Sequence, residues 1–303
     1  MPKRLLLPFL PGGLMLVAGV AGTIAGPAAR TQSYFAFQRE WLAHWPLEHG
    51  QFLPRAVEPA LYPLAPVWVQ VEPHVRMWLD PADYVSHQIL ETGSWEPTSW
   101  AALQQHLAAG DTFIDVGAHI GYYSLRAAPV VGPSGHVIAI EPNPDTLPKL
   151  HGNIQASGAT TINVQPFACA EVDATLDLFA ASRTNTGETS LSQSNASQDG
   201  PPAATYRVRA RPLDDIVRDA GVSRVDAVKI DVEGAEMMVL KGAHETLDRY
   251  HPALLVELVD RQLQAMGSSA NEVVQFLHAH GYTARRAFGA NFEFVADTAK
   301  NSN

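Results

Sequence analysis

The sequence predicts an α/β fold, a doubly wound sheet of mostly parallel strands with helices on both faces. Three observations carry that prediction. From residue 110 onward, short apolar runs bounded by turn residues alternate with stretches of helical periodicity. One of those runs, Phe113-Ile114-Asp115-Val116, leads into a glycine-containing turn, Gly117 to Gly121, and then a helix. The chain closes on two segments, 282–286 and 292–296, that fit a final antiparallel hairpin.

In chain order, residues 5–29 come first and carry no charge, between Lys3-Arg4 and Arg30. Their length suits a membrane span of about 20 residues, a signal segment with a basic start or a plain N-terminal extension. Pro8, Pro11, Gly12, Gly13, Gly19 and Gly22 weaken an isolated helix there. Residues 33–45 would form a short helix with Phe35, Trp41 and Leu42 inward. Pro46, Pro54, Pro59, Pro63 and Pro66 make the next stretch an irregular connector. Residues 67–71 and 75–79 alternate and are rich in β-branched and aromatic side chains, so they predict a hairpin across Glu72-Pro73-His74. Helical spacing follows over 82–91 and 98–109. Strands are then expected at 112–116, 136–140, 162–168, 227–230 and 253–258, with helices at 122–131, 147–156, 213–220, 236–247 and 272–280. The stretch 182–204, rich in Ser, Thr, Asn, Gly and Pro, interrupts this alternation as a loop or flap.

Composition sets outer limits. The 303 residues are 46% apolar and 17% charged, enough for a full core in one large domain or a domain with an appendage. The formal net charge of −10 lacks the basic footprint that phosphate-backbone binding needs, which argues against a nucleic-acid partner. The single cysteine, Cys169, excludes an intrachain disulfide framework and a cysteine-based zinc site, and reads as a small core residue. All six tryptophans fall between Trp41 and Trp100, so the first hundred residues differ in character from the rest.

The chemistry concentrates at strand ends. In a doubly wound sheet the turn after the first strand is where adenine nucleotides bind. A dinucleotide fingerprint needs a middle glycine, and here that position is His119 between Gly117 and Gly121. Asp115 at the strand end would repel a pyrophosphate but suits a ligand with a cationic amine, such as the methionine part of S-adenosylmethionine. Glycine fits where a ligand approaches the backbone closely. The next strand ends in Glu141-Pro142, and a carboxylate there can accept both ribose hydroxyls of an adenosine. A second cluster is Val228-Lys229-Ile230-Asp231-Val232-Glu233-Gly234-Ala235-Glu236, with Glu257 ending the strand after it. If those strands neighbour the first, Asp231, Glu233 and Glu257 face one crevice. They could take a proton from a hydroxyl or ligate a divalent ion, although Glu233 and Glu236 equally suit helix capping. The reading adopted assigns no metal.

These segments together resemble the FkbM-type S-adenosylmethionine-dependent methyltransferases. The matching residues are Asp115 to Gly121 with Tyr122-Tyr123-Ser124, then Glu141-Pro142-Asn143, then Asn185-Thr186-Gly187-Glu188-Thr189-Ser190-Leu191. Leu213-Asp214-Asp215 and the Val228 to Glu236 segment follow, running on into Val239-Leu240-Lys241-Gly242-Ala243. Upstream, Leu79-Asp80-Pro81 and Gly93-Ser94-Trp95-Glu96-Pro97 also fit, and the likeness covers residues 75–290 in order. One departure is His119, where the family pattern has Asn; both can hydrogen-bond a carboxylate.

The resemblance implies a Rossmann-like methyltransferase sheet of seven strands with the last antiparallel, and S-adenosylmethionine as cofactor. It implies that Asp115, Gly117 and Gly121 hold the methionine part, that Glu141 holds the ribose, and that Phe167 and Ala168 flank the adenine, with His119 lining the cofactor. The expected reaction is methylation of a hydroxyl on a small molecule or sugar, with Asp231 as first candidate for proton acceptor and Glu257 as second. The corresponding division is an apolar segment at 1–30, a tryptophan-rich lead-in at 31–109 able to cap the substrate, and a catalytic domain at 110–298 with a flap at 182–204. The expected location is cytoplasmic, with membrane association through residues 5–29, and no oligomeric state is assigned. An NAD-dependent oxidoreductase and a non-catalytic, membrane-tethered binding module are the alternatives; intact carboxylates at 115, 141 and 231 weigh against the second.

Overall fold

The computed structural model describes residues 31–32, 65–182 and 184–297. The apolar segment 5–29 and the expected helix at 33–45 lie outside the described residues. The described residues fall into two compact units, one including residues 65–69 and 78–94, the other including residues 70–77 and 95–297.

Val67–Glu72 (β1) and Val75–Leu79 (β2) form a two-stranded sheet, as the alternation predicts. In the first unit, the Trp68 and Trp78 rings lie 5.5 Å apart. Tyr84–Thr92 (α1) starts where the Asp83 carboxylate accepts the Ser86 amide, and ends at Gly93.

The second unit is built on a seven-stranded sheet. Pro97–Gln104 (α2) precedes it. Then follow Thr112–Val116 (β3), Tyr122–Val131 (α3), His136–Ile140 (β4), Leu147–Ser157 (α4) and Ile162–Gln165 (β5). After an insertion come Leu213–Ala220 (α5) and Ala227–Ile230 (β9). Glu236–Lys241 (α6), His244–Tyr250 (α7) and Ala253–Glu257 (β10) are next. Asp260–Ala265 (α8), Ala270–Ala279 (α9), Tyr282–Phe288 (β11) and Asn291–Ala296 (β12) complete the unit. The strand order is β11-β12-β10-β9-β3-β4-β5. Strands β10, β9, β3, β4 and β5 run parallel, while β12 is antiparallel to both β10 and β11. This is the expected seven-stranded sheet, with its last strand reversed and inserted between β10 and β11.

The central strands are apolar because both faces are covered. Every residue of β3 and β9 is buried, as parallel strands flanked by helices require. Ile114, Ile138, Val228, Ile230, Leu254 and Val256 form the middle of one core, and Cys169 packs into it with its thiol pKa pushed up to about 12 by burial.

Three elements differ from the sequence expectation. The third strand ends at Gln165 rather than 168, because Pro166 has no N–H to give the ladder. Ala168–Cys169 (β6) instead joins Ala174–Ala180 (β7) and Ala204–Arg211 (β8) in a separate three-stranded sheet, order β6-β8-β7. The stretch 182–204 is therefore the connection of a β7–β8 hairpin, with a short 3-10 turn at Thr186–Glu188. The helix expected over 236–247 divides at Gly242. A Cβ there would lie 2.2 Å from the Ala170 carbonyl oxygen, so the chain passes tightly beside β6. The second half then begins afresh, its first amides at Glu245 and Thr246 capped by the Asp214 carboxylate at 2.9 and 2.8 Å.

Candidate active site

The carboxyl ends of β4, β3, β9 and β10 lie side by side, and the chemistry-bearing residues gather there. Gly117 opens the turn after β3 at φ 81. A Cβ on it would stand 1.8 Å from the Asp231 carbonyl oxygen. The end of β9 thus approaches this backbone closely enough to demand glycine. His119 follows at φ 51, a left-handed conformation uncommon outside glycine. Its amide donates to Glu141 Oε2 at 2.8 Å, and its Nε2 lies 2.8 Å from Thr186 Oγ1. The turn is therefore stitched to β4 and to the 182–204 connection at once. Gly121 then begins α3.

Glu141 is nearly sealed from solvent. Its Oε1 accepts the Asn143 amide at 2.8 Å, mirroring the His119 bond on Oε2. Burial outweighs both bonds and pushes its pKa up to about 7. Asp115 is also buried. Ser124 donates to its Oδ2 at 2.6 Å, whereas Oδ1 has no hydrogen-bond donor. Burial raises its pKa against the pull of Lys229 and Ser124.

Lys229 is the only buried basic residue among those described. Its Nζ lies 3.0 Å from Asp231 Oδ2, 3.8 Å from Asp115 Oδ1 and 5.1 Å from the centre of the Tyr123 ring. Burial would lower its pKa, but Asp231, Asp115 and Glu96 together drive it up, so the ammonium stays charged. The Tyr123 hydroxyl donates to Glu96 Oε2 at 2.7 Å, and Asn291 Nδ2 donates to Glu96 Oε1 at 2.8 Å. Burial, then the Asp231 charge, raises the Glu96 pKa. Sequence reasoning quoted Lys229, Tyr123 and Glu96 inside motifs and gave them no role. A lysine in the middle of a fully buried strand was the available signal, because such a charge needs partners.

The structure brings Asp231, Glu233 and Glu257 together, as neighbouring strands predict. Each offers one oxygen, and these oxygens lie within 4.8 Å of one another. Burial, followed by the charges of Asp231 and its other acidic neighbours, raises the pKa values of Glu233 and Glu257 well above the carboxylate range. Glu236 folds back into the turn, where its Oε1 accepts the Val232 and Gly234 amides at 3.1 Å each. Burial pushes it up to about 7.

The 182–204 connection reaches the same turn. Ser190 Oγ and Asn195 Nδ2 both donate to the Glu233 carbonyl, at 2.8 and 2.9 Å. Phe167 and Ala168 follow the end of β5, whose Gln165 carbonyl accepts the Glu141 amide at 3.1 Å, and Ala168 opens the three-stranded sheet. Ala168 is buried, and the Phe167 ring lies beneath the guanidinium groups of Arg209 and Arg211 at 5.6 and 5.2 Å.

Comparison with known proteins identifies the family. The family model described as the methyltransferase FkbM domain matches residues 115–284. Among curated proteins, the hexuronic acid methyltransferase AglP of Haloferax volcanii is 28% identical over 137 residues, 45% of this chain and 52% of that protein. The AMB antimetabolite synthetase AmbE of Pseudomonas aeruginosa is 26% identical over 201 residues, 56% of this chain and 9% of that protein. The chain thus spans about half of the first and a small part of the second. Among solved structures, a methyltransferase FkbM from Methylobacillus flagellatus KT aligns with 16% identity and a TM-score of 0.41, over 70% of this chain and 52% of that one. With its matched segment running from the end of β3 into β11, the chain belongs to the FkbM methyltransferase family.

Proposed function

We propose that the chain transfers a methyl group from S-adenosylmethionine to a hydroxyl of a small molecule or sugar. The observation that carries the proposal is the Gly117 turn locked onto Glu141 at the carboxyl edge of the sheet, in a chain of this family. The residues fit the cofactor. Each Glu141 oxygen accepts one amide and keeps acceptor capacity for a ribose hydroxyl. Asp115 Oδ1, 3.8 Å from Lys229, accepts no hydrogen bond and keeps acceptor capacity for an amine. In this reading Asp115, Gly117 and Gly121 hold the methionine part, His119 lines the cofactor, Glu141 holds the ribose, and Phe167 and Ala168 flank the adenine.

When bound, S-adenosylmethionine supplies a methyl already activated on sulfur. The chain must then align the acceptor hydroxyl and receive its proton, which a positioned carboxylate accelerates about 10²–10⁴-fold. Asp231 is the first candidate to receive it and Glu257 the second. A relative that is a hexuronic acid methyltransferase supports a sugar among the acceptors to try. A cytoplasmic setting follows from the cofactor's site of synthesis, with residues 5–29 as the proposed membrane contact.

The test is methyl transfer from isotopically labelled cofactor to a panel of hydroxylated small molecules and sugars. Asp231→Asn should bind the cofactor normally and lose at least about 100-fold in turnover. Unchanged turnover would refute the proton-acceptor assignment.

A further inference from the structure

We propose that Asp231, Glu233 and Glu257 form a binding site for one hard divalent cation of the magnesium or manganese class. Two observations meet here. The first is geometric: one oxygen from each of three half-buried carboxylates falls within 4.8 Å of the others, close enough to share one ion through bonds of about 2.0–2.6 Å. The second is a shortage of donors. Glu257 Oε2 is buried without a hydrogen-bond partner. So is Oε2 of Glu236, a residue 1% exposed whose other oxygen is fixed in the same turn as Glu233. Buried acceptors are rarely left this way, and an ion is one of the few things that satisfies them.

Charge and ligand chemistry select the class of ion. Lys229 lies 3.0 Å from Asp231 but is shared with Asp115 and Glu96, so the acids at this edge outnumber the buried cation. All three ligands are carboxylate oxygens, which suit magnesium, manganese or calcium rather than softer metals. The three come from the ends of β9 and β10 and the turn between β9 and α6, so rigid strands hold two of them. Three protein ligands leave coordination positions open for water or for hydroxyls of an acceptor. A cation there would orient that hydroxyl and ease loss of its proton. That role rests on the methyl-transfer reading above; the binding of the ion does not.

The test is titration of the EDTA-treated full chain with manganese chloride, followed by the electron paramagnetic resonance signal of the free ion. One saturable site per chain, competed by magnesium, is expected. Glu257→Gln should weaken it at least tenfold, and Glu233→Gln serves as the second variant if the first does not fold. No saturable binding up to about 1 mM, or undiminished binding by a folded variant, would overturn the site. S-adenosylhomocysteine is titrated into the same treated chain. If the chain binds cofactor product but shows no saturable manganese binding, the cation site alone falls; if it binds manganese but not cofactor product, the methyl-transfer reading alone falls.

Discussion

Glu141 and Glu236 are buried carboxyl groups whose pKa values are both pushed up to about 7 by burial. A raised acid stabilises the fold below its unfolded value, near 4.5, and that contribution is lost as pH rises through about 7. Stability measured by chemical denaturation should therefore fall between about pH 5 and pH 8, by at most about 1.4 kcal/mol per pH unit for each group. A flat or rising profile across that window would contradict these environments. Glu293 and Asp219, held below their usual values by Arg286 and Arg211, act at lower pH and do not mask it. At this scale the strand-end acids were legible, since Asp115, Glu141, Asp231 and Glu257 each terminate or follow an apolar run. The roles of Lys229 and Glu96 were not, because they arise from distant partners: Glu96 meets Asn291, 195 residues away.

Element boundaries were legible wherever an apolar run met a turn signal. The sequence assignments at 112–116, 122–131, 136–140 and 227–230 coincide with β3, α3, β4 and β9. Strands β7 and β8 were assigned no element, although Ala174–Ala180 and Ala204–Arg211 both alternate, because their outward residues are polar and no apolar run marks them. Gly242 was read as part of one helix, since a single glycine does not reveal what stands against it. The structure puts the Ala170 carbonyl there. Gly242→Ala should cost about 1–3 kcal/mol by overpacking and lower Tm by roughly 2–4 °C for each of those. An unchanged melting temperature would show that β6 and α6 are not pressed together at this point.

Across the whole chain, the net charge of −10 acquires a location. A share of it gathers where β3, β4, β9 and β10 end, balanced there by one buried lysine. The strand order explains why acids 26 to 142 residues from Asp115 share one edge, and the family match spans that arrangement. The central claim is that this edge binds S-adenosylmethionine through Glu141, and calorimetric titration of the purified full chain tests it most directly. Because Glu141 must be ionised to accept ribose hydroxyls, affinity should rise between about pH 6 and pH 8. Glu141→Ala should weaken binding at least about tenfold, the loss expected when hydrogen bonds to a charged group disappear, and Glu141→Gln provides the isosteric control. Binding of neither the cofactor nor its demethylated product, or binding left unchanged by both substitutions in folded protein, would contradict the account.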